Sequence, residues 1–418
     1  MTPSNFSALG LTGSLSRAVA DMNYDKPTPI QSQAIPPLLE GRDLLGIAQT
    51  GTGKTAAFVL PLLQQLAEER QRPAPRTVRA LILAPTRELA LQISDSIKVY
   101  GRFSKLSHAV VMGGVSQRAQ IKQTARGVDI LVATPGRLLD LTDQRRIDIR
   151  RTEYLVLDEA DRMLDMGFIR DVRKIIAQLP KDRQSMLFSA TMPDRVARLA
   201  GDILDDPVRV EVKAKTVAVD RIDQSIHFVE RSAKRRMVAE MLMDPDFSRV
   251  IVFVRTKRGA DRLCRQLGTA GVDAAAIHGD KSQGARERAL QAFRKGRAQV
   301  LVATDVVSRG IDVDDVSHVI NYELPNDPEC YVHRIGRTAR AGASGVAISL
   351  CDDSEAEQLR DIERLIKRRL TVASGKPPAG KHAPAEKRTA RSASRKKPAN
   401  GNAKRRSRSR QRRRRNAA

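Results

Sequence analysis

One lysine and two carboxylates stand where this chain could do chemistry on phosphate. The segment Ala48-Gln49-Thr50-Gly51-Thr52-Gly53-Lys54-Thr55 follows the apolar run Leu44-Leu45-Gly46-Ile47 and opens the helical run Ala56-Ala57-Phe58-Val59-Leu60. Strand, glycine-rich loop, then helix is the setting of a phosphate-binding loop, where glycines let backbone N–H groups converge on phosphate oxygens. The helix N-terminus adds partial positive charge, Lys54 supplies a full one, and Thr55 offers a hydroxyl to Mg²⁺. Asp158-Glu159-Ala160-Asp161 comes 104 residues after Lys54, behind the strand-like Tyr154-Leu155-Val156-Leu157. Open α/β sheets bind ligands at the carboxyl ends of their strands. Asp158 is thus placed to hold a metal's water shell and Glu159 to polarise an attacking water. The pair of motifs implies nucleotide hydrolysis. Ala48 departs from the usual loop pattern, which has glycine there.

A second group of charges lies far downstream, in His333-Arg334-Ile335-Gly336-Arg337-Thr338-Ala339-Arg340. Arginines three apart on a helix share a face. Read by itself, that is a solvated basic face. Beside a phosphate loop that has no arginine of its own, two of them become candidates to neutralise charge developing on a γ-phosphate, an effect of about 10³ to 10⁵ in rate.

The elements that must carry these residues repeat a single pattern. Leu81-Ile82-Leu83-Ala84 leads into Pro85-Thr86-Arg87-Glu88, Ile130-Leu131-Val132-Ala133 into Thr134-Pro135-Gly136-Arg137, and Met186-Leu187-Phe188 into Ser189-Ala190-Thr191. Continuous apolar strands alternating with helices predict a parallel sheet covered on both faces. The pattern breaks at Asp205-Asp206-Pro207 and restarts with Val250-Ile251-Val252-Phe253-Val254, Ala276-Ile277, Val300-Leu301-Val302-Ala303 and Val319-Ile320. The expected organisation is a first α/β domain over 1–207, a linker over 208–221, a second α/β domain over 222–372 and a tail over 373–418. The second half has no phosphate loop, so the nucleotide is expected in a cleft touched by both.

This ordered set of motifs resembles the DEAD-box ATP-dependent RNA helicases, from about Phe6 to Leu370. The resemblance implies two RecA-like domains, ATP and Mg²⁺ as ligands, and RNA-stimulated hydrolysis coupled to local, sequence-independent unwinding of short duplexes or remodelling of RNA–protein complexes. Phe6 and Tyr24-Asp25-Lys26-Pro27-Thr28-Pro29-Ile30-Gln31 resemble the Q motif, which implies Tyr24 on the adenine and Gln31 at its edge. Ala48 is ordinary in this family. Asp312 resembles the residue that holds the ribose, and Ser189, Ala190 and Thr191 the motif coupling hydrolysis to unwinding. Arg337 and Arg340 match the arginine fingers; His333 and Arg334 match residues bridging to the first domain. Ala339 replaces a more frequent glycine. The implied RNA track runs over Pro85, Thr86, Arg87, Gly113, Gly114, Thr134, Pro135, Gly136 and Arg137, then Arg255, Thr256, Gly279, Thr304 and Asp305. These are loop ends that suit phosphates and 2′-hydroxyls better than base edges. Met163-Leu164-Asp165-Met166-Gly167-Phe168 and His278-Gly279-Asp280-Lys281-Ser282-Gln283 resemble the bacterial RhlE-type subgroup. A DNA translocase of related build and an RNA chaperone working through a basic tail stay open as alternatives. Ribosome assembly, RNA decay and cold adaptation are all compatible processes, with ribosomal or RNA-decay proteins as conceivable partners of a monomer.

Composition agrees with such a protein. The 418 residues carry a net charge of +26, are 41% hydrophobic and contain only 3% aromatics. Stacking platforms for reading bases are therefore scarce. Cys264, Cys330 and Cys351 form no CxxC pair, which suits reduced thiols. No apolar run approaches the roughly 20 residues of a membrane span, and no signal pattern opens the chain, so a cytoplasmic location is expected. From Lys376 onward, 17 Lys and Arg face the single acid Glu386, which puts +16 of the charge in a tail without aromatics. Such a composition is expected to be disordered and to bind polyanions. A chain ending at Ser374 should therefore keep its saturated ATPase rate, need more RNA for half-maximal stimulation, and show a shallower salt dependence of RNA affinity. The slope is about −0.7 per single-strand phosphate neutralised; equal slopes for long and short chains would mean that the tail does not touch RNA.

Overall fold

Burial on both faces is what turns the short apolar runs into strands. A computed structural model describes residues 5–22, 24–49, 51–69, 71–212, 222–305, 316–339 and 345–377. The first half contributes β1 (Leu44–Ile47), β2 (Val78–Leu83), β3 (His108–Val111), β4 (Val128–Ala133), β5 (Tyr154–Leu157), β6 (Gln184–Ser189) and β7 (Val208–Glu211). They form one parallel sheet in the order β3-β4-β2-β5-β6-β1-β7. The second half contributes β8 (Ile222–Phe228), β9 (Val250–Phe253), β10 (Ala274–Ile277), β11 (Val300–Ala303), β12 (His318–Asn321), β13 (Gly345–Cys351) and β14 (Thr371–Ser374). Its order, β10-β11-β9-β12-β13-β8-β14, reproduces the first sheet strand for strand.

Residues of β2, β4 and β5 are wholly buried, and alternate side chains feed two apolar layers. One layer holds Ile82, Val132, Val156 and Phe188 with the helix Lys54–Glu69; the other holds Leu81, Leu131, Leu155 and Leu187. Gly46 leaves room for Phe188, since a Cβ there would sit 2.5 Å from its ring. Phe188 in turn meets Phe58 at 5.3 Å between ring centroids, which seats the helix behind the phosphate loop.

The first sheet runs past the expected boundary at 207. Val208–Glu211 is an edge strand in register with β1, Val208 opposite Leu44 and Glu211 opposite Ile47. The rest of the expected linker, 213–221, lies outside the described residues, as does the tail from 378. Likewise β14 extends the second sheet to Ser374. Among the described residues no helix is long and apolar enough to cross a membrane. Cys264, Cys330 and Cys351 are free thiols.

The second half is fastened by one buried acid. Glu355 is 0% exposed and accepts from the ammonium of Lys234, from Arg255 Nη2 at 3.0 Å and from the Leu324 amide at 3.0 Å. Removing one partner of such a buried pair strands the other charge, at about 3–5 kcal/mol. Glu355→Ala should lower the urea midpoint by a matching amount, while Glu355→Gln, still able to accept, should lose less; a midpoint unchanged in both would show that the network contributes nothing.

Candidate active site

The phosphate loop takes the shape that its glycines permit. Gly51 and Gly53 have φ of 84° and 92°, a left-handed backbone that a Cβ would strain. Thr52 Oγ1 donates to the Gln49 carbonyl at 2.7 Å, and the Ala48 amide donates to the Ser189 carbonyl at 3.0 Å, tying the loop to β6. Lys54 opens its helix 6% exposed, and its Nζ has no hydrogen-bond partner. A buried ammonium without an acceptor is a place prepared for an anion. Thr50 lies outside the described residues.

Gln31 anchors the loop from behind. It is the third residue of the helix Pro29–Leu39, accepts from the Thr28 amide at 2.8 Å and donates to the Gly53 carbonyl at 3.1 Å. Its amide therefore spans a capping box and the phosphate loop. Phe6, Tyr24 and Gln31 line the same cleft as Lys54 and Thr55, about 640 Å³ in volume, with Tyr24 43% exposed.

Across this cleft stand the acids that follow β5. Asp158 is buried and accepts from the Glu159 amide at 2.9 Å. Burial pushes its carboxyl up to about 6, against the lowering effect of Lys54. Glu159 adopts φ 54° and its Oε2 accepts from Arg162 Nη1 at 2.9 Å. Asp161 turns to β6, where its Oδ2 accepts from the Ala190 amide at 3.1 Å, the Thr191 amide at 2.9 Å and Thr191 Oγ1 at 3.0 Å. Ser189 Oγ receives the Asp161 amide at 3.2 Å. The acidic motif and Ser189-Ala190-Thr191 thus form one bonded unit, a link that sequence reading placed in two separate roles.

The second half reaches this site through a turn rather than a helix face. The helix Pro328–Ile335 ends before Arg337, so Arg334 and Arg337 do not share one helix face. Arg337 lines the cleft together with Lys54, Asp158 and Glu159, and His333 and Arg337 line a smaller gap with Glu159 and Asp161. Arg334, expected to bridge to the first domain, is spent within the second. It is 2% exposed, forks onto Asp305 at 2.6 and 2.8 Å, and donates to Asn321 Oδ1 at 3.1 Å and the Glu323 carbonyl at 2.7 Å. Ala339 takes φ 56°, the conformation in which a glycine is at ease. Arg340 and Asp312 lie outside the described residues.

The residues expected on the RNA track gather at helix starts. Thr86, Thr134 and Thr256 are the N-caps of the helices Arg87–Tyr100, Pro135–Asp143 and Lys257–Thr269, directly after β2, β4 and β9. Thr86 accepts from the Leu89 amide at 3.3 Å and Thr256 from Gly259 at 3.0 Å. First-turn amides at such ends are free to meet phosphate. Arg87 lies against Gly113 and Gly114, so closely that a Cβ on Gly114 would fall 2.1 Å from its guanidinium. Arg137 donates to the Val115 carbonyl at 3.3 Å beside them. Pro85 and Gly136 flank the caps Thr86 and Thr134, and Gly279 follows β10 beside Lys257. Thr304, 4% exposed, has no partner for its Oγ1. Two expected members are diverted: Asp305 holds Arg334, and the Arg255 guanidinium is bound to Glu355.

Sequence reading missed the pair that joins the halves. Arg286 Nη2 lies 2.6 Å from Glu88 Oε1, with side chains 7% and 4% exposed. The two residues belong to the helices Gln283–Arg294 and Arg87–Tyr100, and no local pattern marks either as the other's partner.

Comparison with known proteins agrees with this geometry. Residues 28–199 match the DEAD/DEAH box helicase family and residues 233–342 the helicase conserved C-terminal domain. The ATP-dependent RNA helicase CshA of Limosilactobacillus reuteri is 43% identical over 380 residues, 90% of this chain and 75% of that protein. The DEAD-box ATP-dependent RNA helicase CshA of Bacillus cereus is 42% identical over 365 residues, 87% of this chain and 69% of its own length. Among solved structures, S. cerevisiae Dbp5 bound to RNA and ADP BeF3 is similar with a TM-score of 0.80 and 34% identity, covering 89% of this chain and 96% of that one. The DEAD-box helicase Mss116 bound to ssRNA and UDP-BeF reaches 0.78 and 30%, covering 88% and 79%. With its two RecA-like halves, phosphate loop and acidic motif, the chain belongs to the DEAD-box ATP-dependent RNA helicases.

Proposed function

We propose that ATP is hydrolysed in the cleft between Lys54, Asp158, Glu159 and Arg337, and that this drives local, sequence-independent unwinding of short RNA duplexes or remodelling of RNA–protein complexes. The supporting observation is that Arg337 of the second half lines the same cleft as Lys54 of the first. A site assembled from two lobes is complete only while they are together, which links nucleotide state to lobe closure.

In this reading Lys54 and the loop amides hold the phosphates, with Gly51, Thr52 and Gly53 shaping the cradle and Gln49 and Thr50 completing it. Phe6, Tyr24 and Gln31 face the adenine, and Asp312 holds the ribose. Glu159 polarises the attacking water, with Arg162 holding its carboxylate in place. Arg337 and Arg340 meet charge as it builds on the γ-phosphate. Asp161 passes the change to Ser189, Ala190 and Thr191, while His333 senses it from the second half.

Mg²⁺ fits the donors present: the Thr55 hydroxyl and the buried Asp158 carboxylate, whose pKa burial raises. When bound, the ion would neutralise charge on the phosphate oxygens. The Thr-capped helix ends at Thr86, Thr134 and Thr256 suit an RNA backbone. A monomer in the cytoplasm, of the RhlE-type subgroup on its Met163–Phe168 and His278–Gln283 segments, with ribosomal or RNA-decay proteins as partners, completes the proposal.

Lys54→Ala should abolish productive ATP binding, whereas Glu159→Gln should retain ATP and RNA but stop turnover. Near-normal RNA-stimulated turnover in Glu159→Gln would remove Glu159 from its role. A second expectation follows from Asp158. Folding raises its pKa from the ordinary 3.8 to about 6, so the folded chain binds more protons than the unfolded one within that window. Stability from this group is therefore lost as pH rises through it. Without ligands, Asp158→Asn should melt higher than the parent near pH 7 and no higher near pH 4, while its Mg²⁺-dependent ATPase disappears. Thermal unfolding at the two pH values checks this, and a lower midpoint for the variant near pH 7 would contradict it.

A further inference from the structure

Identical strand orders give every strand of the first half a counterpart in the second. β8 corresponds to β1, which delivers the phosphate loop, and the helix Lys234–Met241 corresponds to Lys54–Glu69. Both helices begin on a buried lysine, 6% exposed at Lys54 and 1% at Lys234. Their surroundings differ. Lys54 Nζ has no partner, whereas Lys234 Nζ contacts the Leu350 carbonyl at 3.2 Å, Asp352 at 3.1 Å and Glu355. Carboxylates of its own domain have taken the place of phosphate at the second lysine.

The space in front of it is not filled. At the carboxyl ends of β9, β12 and β13 lies a cavity of about 450 Å³, with Arg231, Arg235, Arg258 and Arg262 in its walls. All four arginines are exposed, and none has an ion-pair partner or hydrogen bond among the described residues. The two acids in the walls are already engaged: Asp352 with Lys234, and Glu323 with the Arg255 amide at 2.8 Å. Half-buried Tyr322 stands among the cations; burial and Glu323 push its hydroxyl pKa up, while Arg231, Arg235 and Arg262 pull it down. Four uncompensated guanidinium groups around one concavity suit the oxygens of a compact polyanion.

We propose that this pocket is a second anion site, which takes a polyphosphate group, either free or as the phosphate chain of a nucleotide. It binds without hydrolysing. Tyr322-Glu323 follows β12 where Asp158-Glu159 follows β5, so the metal-holding carboxylate has no counterpart. Thr256 is shared with the RNA track, which makes a strand of RNA the competing occupant. A concave cluster of side-chain cations favours a compact polyanion, whereas the Thr-capped helix ends suit an extended backbone. This inference goes beyond ATP hydrolysis and stands independently of it.

Hydrogen exchange on the full chain reads the two lysine sites separately, through amides of 49–58 and of 229–238, and is blind to whatever the tail binds. Tripolyphosphate should slow exchange in both segments. Arg235→Gln with Arg262→Gln should raise the concentration needed at 229–238 by about tenfold or more and leave 49–58 unchanged. Both substituted residues are exposed, and unliganded exchange matching the parent verifies that the variant is folded. Protection of 229–238 by ATP as well identifies a nucleotide chain as a ligand; protection by tripolyphosphate alone identifies free polyphosphate. The proposal is overturned if 229–238 shows no protection, if the variant is protected equally, or if only single-stranded RNA protects it.

Discussion

One carboxylate oxygen holds the working parts of the first half in register. Asp161 Oδ2 gathers two amides and a hydroxyl from Ala190 and Thr191 at 2.9 to 3.1 Å, and so binds the end of β5 to the end of β6. β6 pairs with β1, and the Ser189 carbonyl accepts from Ala48 at the entrance to the phosphate loop. The cradle, the acids and the Ser189–Thr191 loop are thus three stations on a single run of hydrogen bonds. Charge-assisted bonds to backbone amides are short and directional, so a shift at one station is felt at the others.

Between the halves the constraint is of another kind. Glu88 and Arg286 are nearly removed from water and lie 2.6 Å apart. Each would be a buried, uncompensated charge if the lobes came together out of register. Such a pair contributes little net stability but penalises wrong alignments of the two lobes. Arg334 works inside the second lobe instead, bracing Asp305 against Asn321 and Glu323 so that the turn bearing Arg337 is presented from a stiff base.

Much of this was legible residue by residue. Uninterrupted apolar runs such as Leu81-Ile82-Leu83 announce buried parallel strands, and Gly51 and Gly53 mark the left-handed positions of the loop. Less visible was β7: Val208-Arg209-Val210-Glu211 alternates apolar and polar as an edge strand does, but it sits beside a charged stretch that reads as linker. The destinations of Arg334, Arg255 and Gln31 were hidden for a common reason. Each has several possible acceptors, and only the sheet order brings one of them near. Glu88 and Arg286 are the extreme case, since their meeting requires two folded lobes. The Thr-capped helix ends were present in the letters as Thr before Arg87, Pro135 and Lys257.

The engagement of Lys234 by Glu355 and Asp352 has a consequence for timekeeping. Two equivalent lobes with two live catalytic sites could fire independently, and one lobe could be set while the other was spent. With the second lysine tied down by its own domain, a single hydrolytic event reports for the whole molecule. The chain is then built as a one-bit device, either loaded or discharged.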